Sequence, residues 1–156
     1  MKKRFSKQEI KIIKDFIHSI DNTLKVKVSR ELRFECNIEK KIIYLGAKKP
    51  NHKENLLFQE WYRKQPEYTP INKTLMSILH EIGHFKTFNK QEFALRNEQE
   101  QMLTFMYEHY YIDEKQINFS YWSIDNERKA TMWGVQFFKD NTPICDKLTK
   151  TLGLTN

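Results

Sequence analysis

Apolar residues recur along this chain in two periods. Ile10, Ile13, Ile17 and Ile20, with Phe16 beside them, repeat at helical spacing directly after Ser6-Lys7-Gln8-Glu9. Ser and Glu three positions apart form a capping box, in which each side chain satisfies an orphan backbone amide of the first turn. The pattern predicts a helix over about residues 7–20, ended by Asp21-Asn22. The period then drops to two in Leu24–Val28, Leu32–Cys36 and Ile42–Leu45, which read as strands. Asn37 to Lys41 makes a tight connection between the last two, and the strand lysines and arginines point away from the core. Ile42–Leu45 is also a candidate edge strand with which an extended peptide would pair.

Gly46 to Lys53 is polar and contains Pro50, so it predicts a loop. Glu54 to Gln65 predicts a helix carrying Leu57, Phe58, Trp61 and Tyr62. The helical period is strongest from Ile71, through Leu75, Ile78, Leu79 and Ile82 to Phe85 and Phe88. A long helical segment follows from about Glu92 to Tyr111, then a loop around Asp113 to Ser120. Another helix opens near Asp125 as its N-cap and runs through Ala130, Trp133 and Phe137 to Thr142-Pro143. A short helix ending at Gly153 closes the chain. Helix, small sheet, then helices is an α+β order: a small, mostly antiparallel sheet packed on several helices. At 156 residues the chain suits one domain spanning 1–156.

Composition sharpens the picture in three ways. Aromatics make up 13% of the chain, enough bulky surface for a core and against wholesale disorder. Cys36 and Cys145 follow no ligand or redox spacing and are expected as free, buried thiols. No apolar run approaches the roughly 18 residues needed to cross a bilayer, and the N-terminus continues into an amphipathic pattern, so no membrane is involved and a cytoplasmic protein is expected. The formal net charge of +7 is concentrated in residues 1–53, with 15 Lys+Arg against 6 Asp+Glu. The remainder is slightly acidic. The basic third is thus an outer docking surface for an acidic protein or a DNA-associated regulator. Nucleic-acid binding by the chain itself ranks lower, because no recognised nucleic-acid-binding signature accompanies the charge.

The chemistry is carried by His80-Glu81-Ile82-Gly83-His84, an H-E-x-x-H inside the strongest helix. Histidines at i and i+4 share one helix face, so both imidazoles reach a single Zn²⁺. Glu81 is turned toward the open side of the metal, where it takes a proton from water, while Leu79 and Ile82 face the core. Gly83 costs up to about 1 kcal/mol relative to Ala at mid-helix, so a close backbone approach is expected there. A third ligand is needed. Glu127 is the first candidate, because Ala130 one turn later lets its helix pack closely on the motif helix; His109 is the second. Glu98, Glu100 and Glu108 read as a solvated helix face. For an oxyanion stabiliser the candidates are Tyr107, Tyr110, Tyr111 and Tyr121.

H-E-x-G-H followed by E-x-x-A on a later helix resembles the ImmA/IrrE-type zinc peptidases, compact gluzincin-like domains often encoded with mobile elements or stress regulators. The resemblance covers roughly residues 24–140. It implies a minimal zincin-like fold, with His80, His84 and Glu127 as zinc ligands and Glu81 as general base. It also implies a protein substrate, since members act on transcriptional repressors in the cytosol. Thr131 stands where the family usually has Asn, and 43 positions separate His84 from Glu127. A second reading is a peptidase-like binding module, catalytically weak or inactive, that sequesters a host or regulatory protein.

Overall fold

A computed structural model describes residues 4–49, 53–110 and 112–154; Pro50 and Tyr111 lie outside them. The fold is α+β, with seven helices and a three-stranded sheet among the described residues. Helix α1 (Lys7–Ile20) opens on the expected capping box: Ser6 Oγ accepts from the Glu9 amide at 3.2 Å, and Glu9 accepts from the Ser6 amide at 2.8 Å. Its buried face of Ile13, Phe16 and Ile17 packs on Leu24, Ile43 and Leu45 of the sheet region and on Leu75, Ile78, Leu79 and Ile82.

Strands β1 (Lys25–Val28), β2 (Glu35–Asn37) and β3 (Ile42–Leu45) lie in the order β1-β3-β2. The expected mostly antiparallel sheet is instead mixed: β1 runs parallel to β3, and β2 runs antiparallel to it. Strand β3 is therefore central, not an edge, and its Ile42, Ile43 and Leu45 are buried accordingly. The cause is the crossing between β1 and β2. Leu32 takes the left-handed conformation at φ 61°, and its carbonyl accepts from Ala47 N–H at 3.0 Å. The crossing chain lies directly on Gly46, where an added Cβ would stand 2.8 Å from the Leu32 oxygen and 2.7 Å from the Phe34 ring. Residues 32–34, expected in a strand, are consumed by this crossing, and only Glu35–Asn37 pairs. The β2–β3 turn closes as predicted, with Lys41 at φ 52° and the Lys40 amide donating to Asn37 Oδ1 at 2.8 Å.

Helices α2 (Lys53–Arg63), α3 (Lys73–Lys86) and α4 (Lys90–Tyr110) follow. Asn72 caps α3, accepting from Thr74 and Leu75 amides. That helix stops at Lys86 without reaching Phe88: its C-cap Thr87 leaves helical geometry at φ −109° and ψ 9°, and its amide and hydroxyl both bond to the Gly83 carbonyl. The segment expected as a loop is helix α5 (Glu114–Trp122), capped by Asp113 on the Lys115 amide at 2.6 Å. Its Ile117, Phe119 and Tyr121 alternate with polar residues and so carry no helical period. Tertiary contact supplies what the period lacks: Trp122 joins Phe58, Trp61, Tyr62, Met76 and Val135 in a second, aromatic core.

Helix α6 (Asp125–Asp140) has Ile124 as its N-cap residue, with no side-chain cap bond. Asp125 is already helical, because the buried Ile124 occupies the turn out of α5 and bonds its amide to Tyr121 O at 3.1 Å. Helix α7 (Thr142–Thr151) packs Cys145, Leu148 and the following Leu152 into the first core. No helix among the described residues is long and apolar enough to cross a membrane.

Candidate metal centre

The site is made where α3 meets α6. Close approach of the two helices is dictated by small residues: a Cβ on Gly83 would fall on the Ala130 carbonyl oxygen and stand 2.9 Å from the Ala130 Cα. Both expectations about this pair hold. The contact brings the face of α3 that carries His80 and His84 against the first turn of α6, where Glu127 sits at 2% exposure. Leu79 and Ile82 are fully buried, Leu79 with its Cβ close against Gly134 of α6.

Three donor atoms converge. His80 Nε2 and His84 Nε2 lie 3.1 Å apart, and Glu127 Oε2 stands 3.2 and 3.3 Å from them. Donors about 2.0–2.1 Å from a tetrahedral Zn²⁺ are spaced at about 3.3 Å, so this triangle has the dimensions of one face of such a site. His109 takes no part. It is exposed, with Nδ1 bonded to Phe105 O at 2.9 Å and its ring stacked on Phe105.

The hydrogen bonds around the triangle fix which atoms face its centre. Thr131 Oγ1 donates its one proton to the Glu127 carbonyl at 3.1 Å, so toward His80 Nδ1, at 3.0 Å, it accepts. His80 Nδ1–H is then the donor to Thr131, and Nε2 is the ring nitrogen turned toward Glu127 Oε2. His80 Nε2, His84 Nε2 and Glu127 Oε2 thus face one another within 3.3 Å. A cation among the three satisfies them all. Thr131 thus does for His80 what outer partners of metal-binding histidines do, fixing the tautomer and the ring. Burial works against the Glu127 carboxylate, but its contacts with both histidines outweigh it and hold its pKa well below the ordinary range.

The other oxygen of Glu127 is held just as firmly. Oε1 accepts from Arg96 Nε at 3.0 Å and from the Tyr121 hydroxyl at 2.9 Å, and Arg96 Nη2 donates to that hydroxyl at 2.9 Å. The Tyr121 hydroxyl is therefore committed to the carboxylate, while Tyr107 and Tyr110 stand exposed on α4. Arg96 had no signal in the sequence. It is one charge in a polar helix, and only the fold brings it to Glu127.

Glu81 is buried at 7% exposure and lines the same cavity as both histidines and Glu127, about 690 Å³ in volume. Burial pushes its carboxyl up to about 7, with the charges of Glu127 and Glu35 adding to the rise and His80 opposing it. Its hydrogen-bond partner is the thiol of Cys36 on β2, which burial and Glu81 together keep protonated. Cys36, Glu81 and His84 form a second grouping with ligand atoms within 4.8 Å of one another. Both cysteines are free, as expected, but only Cys145 is fully buried. The far wall of the cavity is β2, with Glu35, Cys36 and Asn37 lining it, and the strand order leaves the outer edge of β2 without a strand partner among the described residues.

The arrangement is thus a buried His-His-Glu group that can hold a metal ion, beside a carboxyl that can hold or release a proton, in an open cavity. Comparison with family models, curated proteins and solved structures gives no match to this chain.

Proposed function

We propose that this chain is a cytoplasmic zinc-dependent peptidase that acts on a protein substrate, with His80, His84 and Glu127 as the metal ligands and Glu81 as the general base. One observation carries the reading: three potential ligand atoms meet at tetrahedral spacing with Glu81 lining the same cavity. When bound, Zn²⁺ supplies Lewis acidity, polarising the scissile carbonyl and easing ionisation of water. The residues of the chain do the rest. Thr131 keeps the His80 ring oriented, and Glu81 accepts a proton from the attacking water and passes it to the departing amine. The free edge of β2 offers backbone groups to an extended peptide laid along the cavity, so that strand takes the role assigned to β3 from the sequence. The resemblance to ImmA/IrrE-type peptidases points to a transcriptional regulator as the substrate. The basic first third is the surface where an acidic or DNA-associated partner lands.

The test is Glu81→Gln in the zinc-loaded chain, assayed on a quenched-fluorescence peptide library with zinc content measured in parallel. Wild type cleaves; the variant keeps zinc and loses at least about a hundredfold in turnover, the scale of a missing general base. Equal turnover by the variant sinks the role of Glu81. Zinc held without any cleavage by wild type assigns the chain to the binding-module reading.

A further inference from the structure

Both groups that grip the outer oxygen of Glu127 come from the long stretch between the two motifs. A carboxylate at the end of a side chain turns about a broad, two-fold torsion, so burial alone does not decide which oxygen faces the histidines. Here Arg96 Nε, Arg96 Nη2 and the Tyr121 hydroxyl close a triangle of bonds on Oε1, and only Oε2 is left for the two imidazoles. The guanidinium lies 5.7 Å from the Phe93 ring centre and 5.9 Å from that of Tyr121, which restrains it from the sides.

Helix α4 has few other anchors. None of its residues is buried, and its inward positions, Phe93, Arg96 and Leu103, line the cavity without entering a core. Its other ion pairs are an Arg96–Glu100 contact within the helix and an exposed Lys129–Glu92 pair. The bond from Arg96 to a carboxylate at 2% exposure is its one deep attachment among the described residues.

We propose that Arg96, with Tyr121, is a positioning residue for the metal site, so that seating of α4 and loading of a divalent cation are coupled through Glu127. This rests on the metal-centre reading above. Whatever fixes Oε2 on a cation also fixes Oε1 on the guanidinium, and such coupling is reciprocal: a seated α4 tightens metal binding, and bound metal tightens α4.

The experiment uses the full chain stripped of metal. Co²⁺ and Zn²⁺ affinities are measured by competition with a chromophoric chelator, the Co²⁺ d–d spectrum is recorded, and amide exchange in α4 is followed with and without metal. In wild type, metal slows exchange across α4. Arg96→Ala lowers both affinities by roughly 10–100-fold, the usual cost of losing an outer partner of a ligand. It also shifts the cobalt spectrum and abolishes the effect of metal on α4, while Arg96→Lys restores part of the affinity. Affinity within twofold of wild type and an unchanged cobalt spectrum in Arg96→Ala overturn the proposal. Should that variant lose its helical circular dichroism, Tyr121→Phe decides instead: a drop of roughly tenfold supports the coupling, and wild-type affinity overturns it. Failure of wild type to bind either metal is a separate result and overturns the metal-centre reading itself.

Discussion

Helix α3 buries nine of its 14 residues, whereas α4, with 21, buries none. Both border the same cavity and both contribute to the surroundings of Glu127. The first is fixed by shape, through the meeting of Gly83 and Ala130 and an apolar face sunk in two cores. The second is fixed by charge, through one guanidinium. Shape fixes a helix against all small perturbations until the packing fails at once. A polar tie is local and removable, and what it controls is the site more than the fold.

The contrast can be broken most severely at Gly83. Gly83→Ala gains helix propensity of about 1 kcal/mol but drives a methyl into the Ala130 backbone, which cannot swing aside as a side chain would. A net loss on the order of 2 kcal/mol is expected in the denaturant midpoint, accompanied by weaker metal binding as the two helices part. A variant as stable as wild type would mean that the helices are not locked by this contact. On α4 the same measurement gives the opposite answer. Met102 is 63% exposed on the outer side of the helix, so Met102→Ser changes stability by no more than about 0.5 kcal/mol. A larger loss would reveal packing that the outer face of α4 does not have.

Another small effect lies at the far end of α3, where Lys86 pairs with Asp21 at 2.9 Å. Bonds from Thr23, and then from Lys86, hold the Asp21 carboxyl down at about 2. A group whose pKa is lowered on folding contributes stability above its unfolded value, near 4, and loses it as pH falls toward 2. Stability curves of wild type and Asp21→Asn should therefore differ by less than about 1 kcal/mol at neutral pH and converge between pH 4 and pH 2. A gap that persists at pH 2 assigns the contribution to something other than the charge.

What the sequence made legible follows the same division. Elements fixed by apolar shape announced themselves: α1 with its capping box, the turn from Asn37 to Lys41, the motif helix, and the small residues at Gly83 and Ala130. The donors His80, His84 and Glu127 followed, because helical spacing and a close helix contact are properties of local sequence. Tertiary context hid the rest. The parallel pairing of β1 with β3 depends on a crossing folded over Gly46, and α5 owes its helix to an aromatic core that its own alternating pattern does not suggest. Arg96 reaches Glu127 across 31 positions, and no periodicity encodes such a pair. Thr131 meets His80 Nδ1 at 3.0 Å across 51 positions, a pairing that no local spacing encodes.

Helix α6 carries both Glu127 and Thr131, the third donor and the group that sets the tautomer of the first. During synthesis the site is thus unfinished until Glu127, 43 positions after His84, has been made and its helix docked. The two histidines emerge much earlier as an unguided pair, so a truncated or partly made chain would hold metal only weakly. Any bond cutting by this protein would then be confined to molecules that have completed their fold.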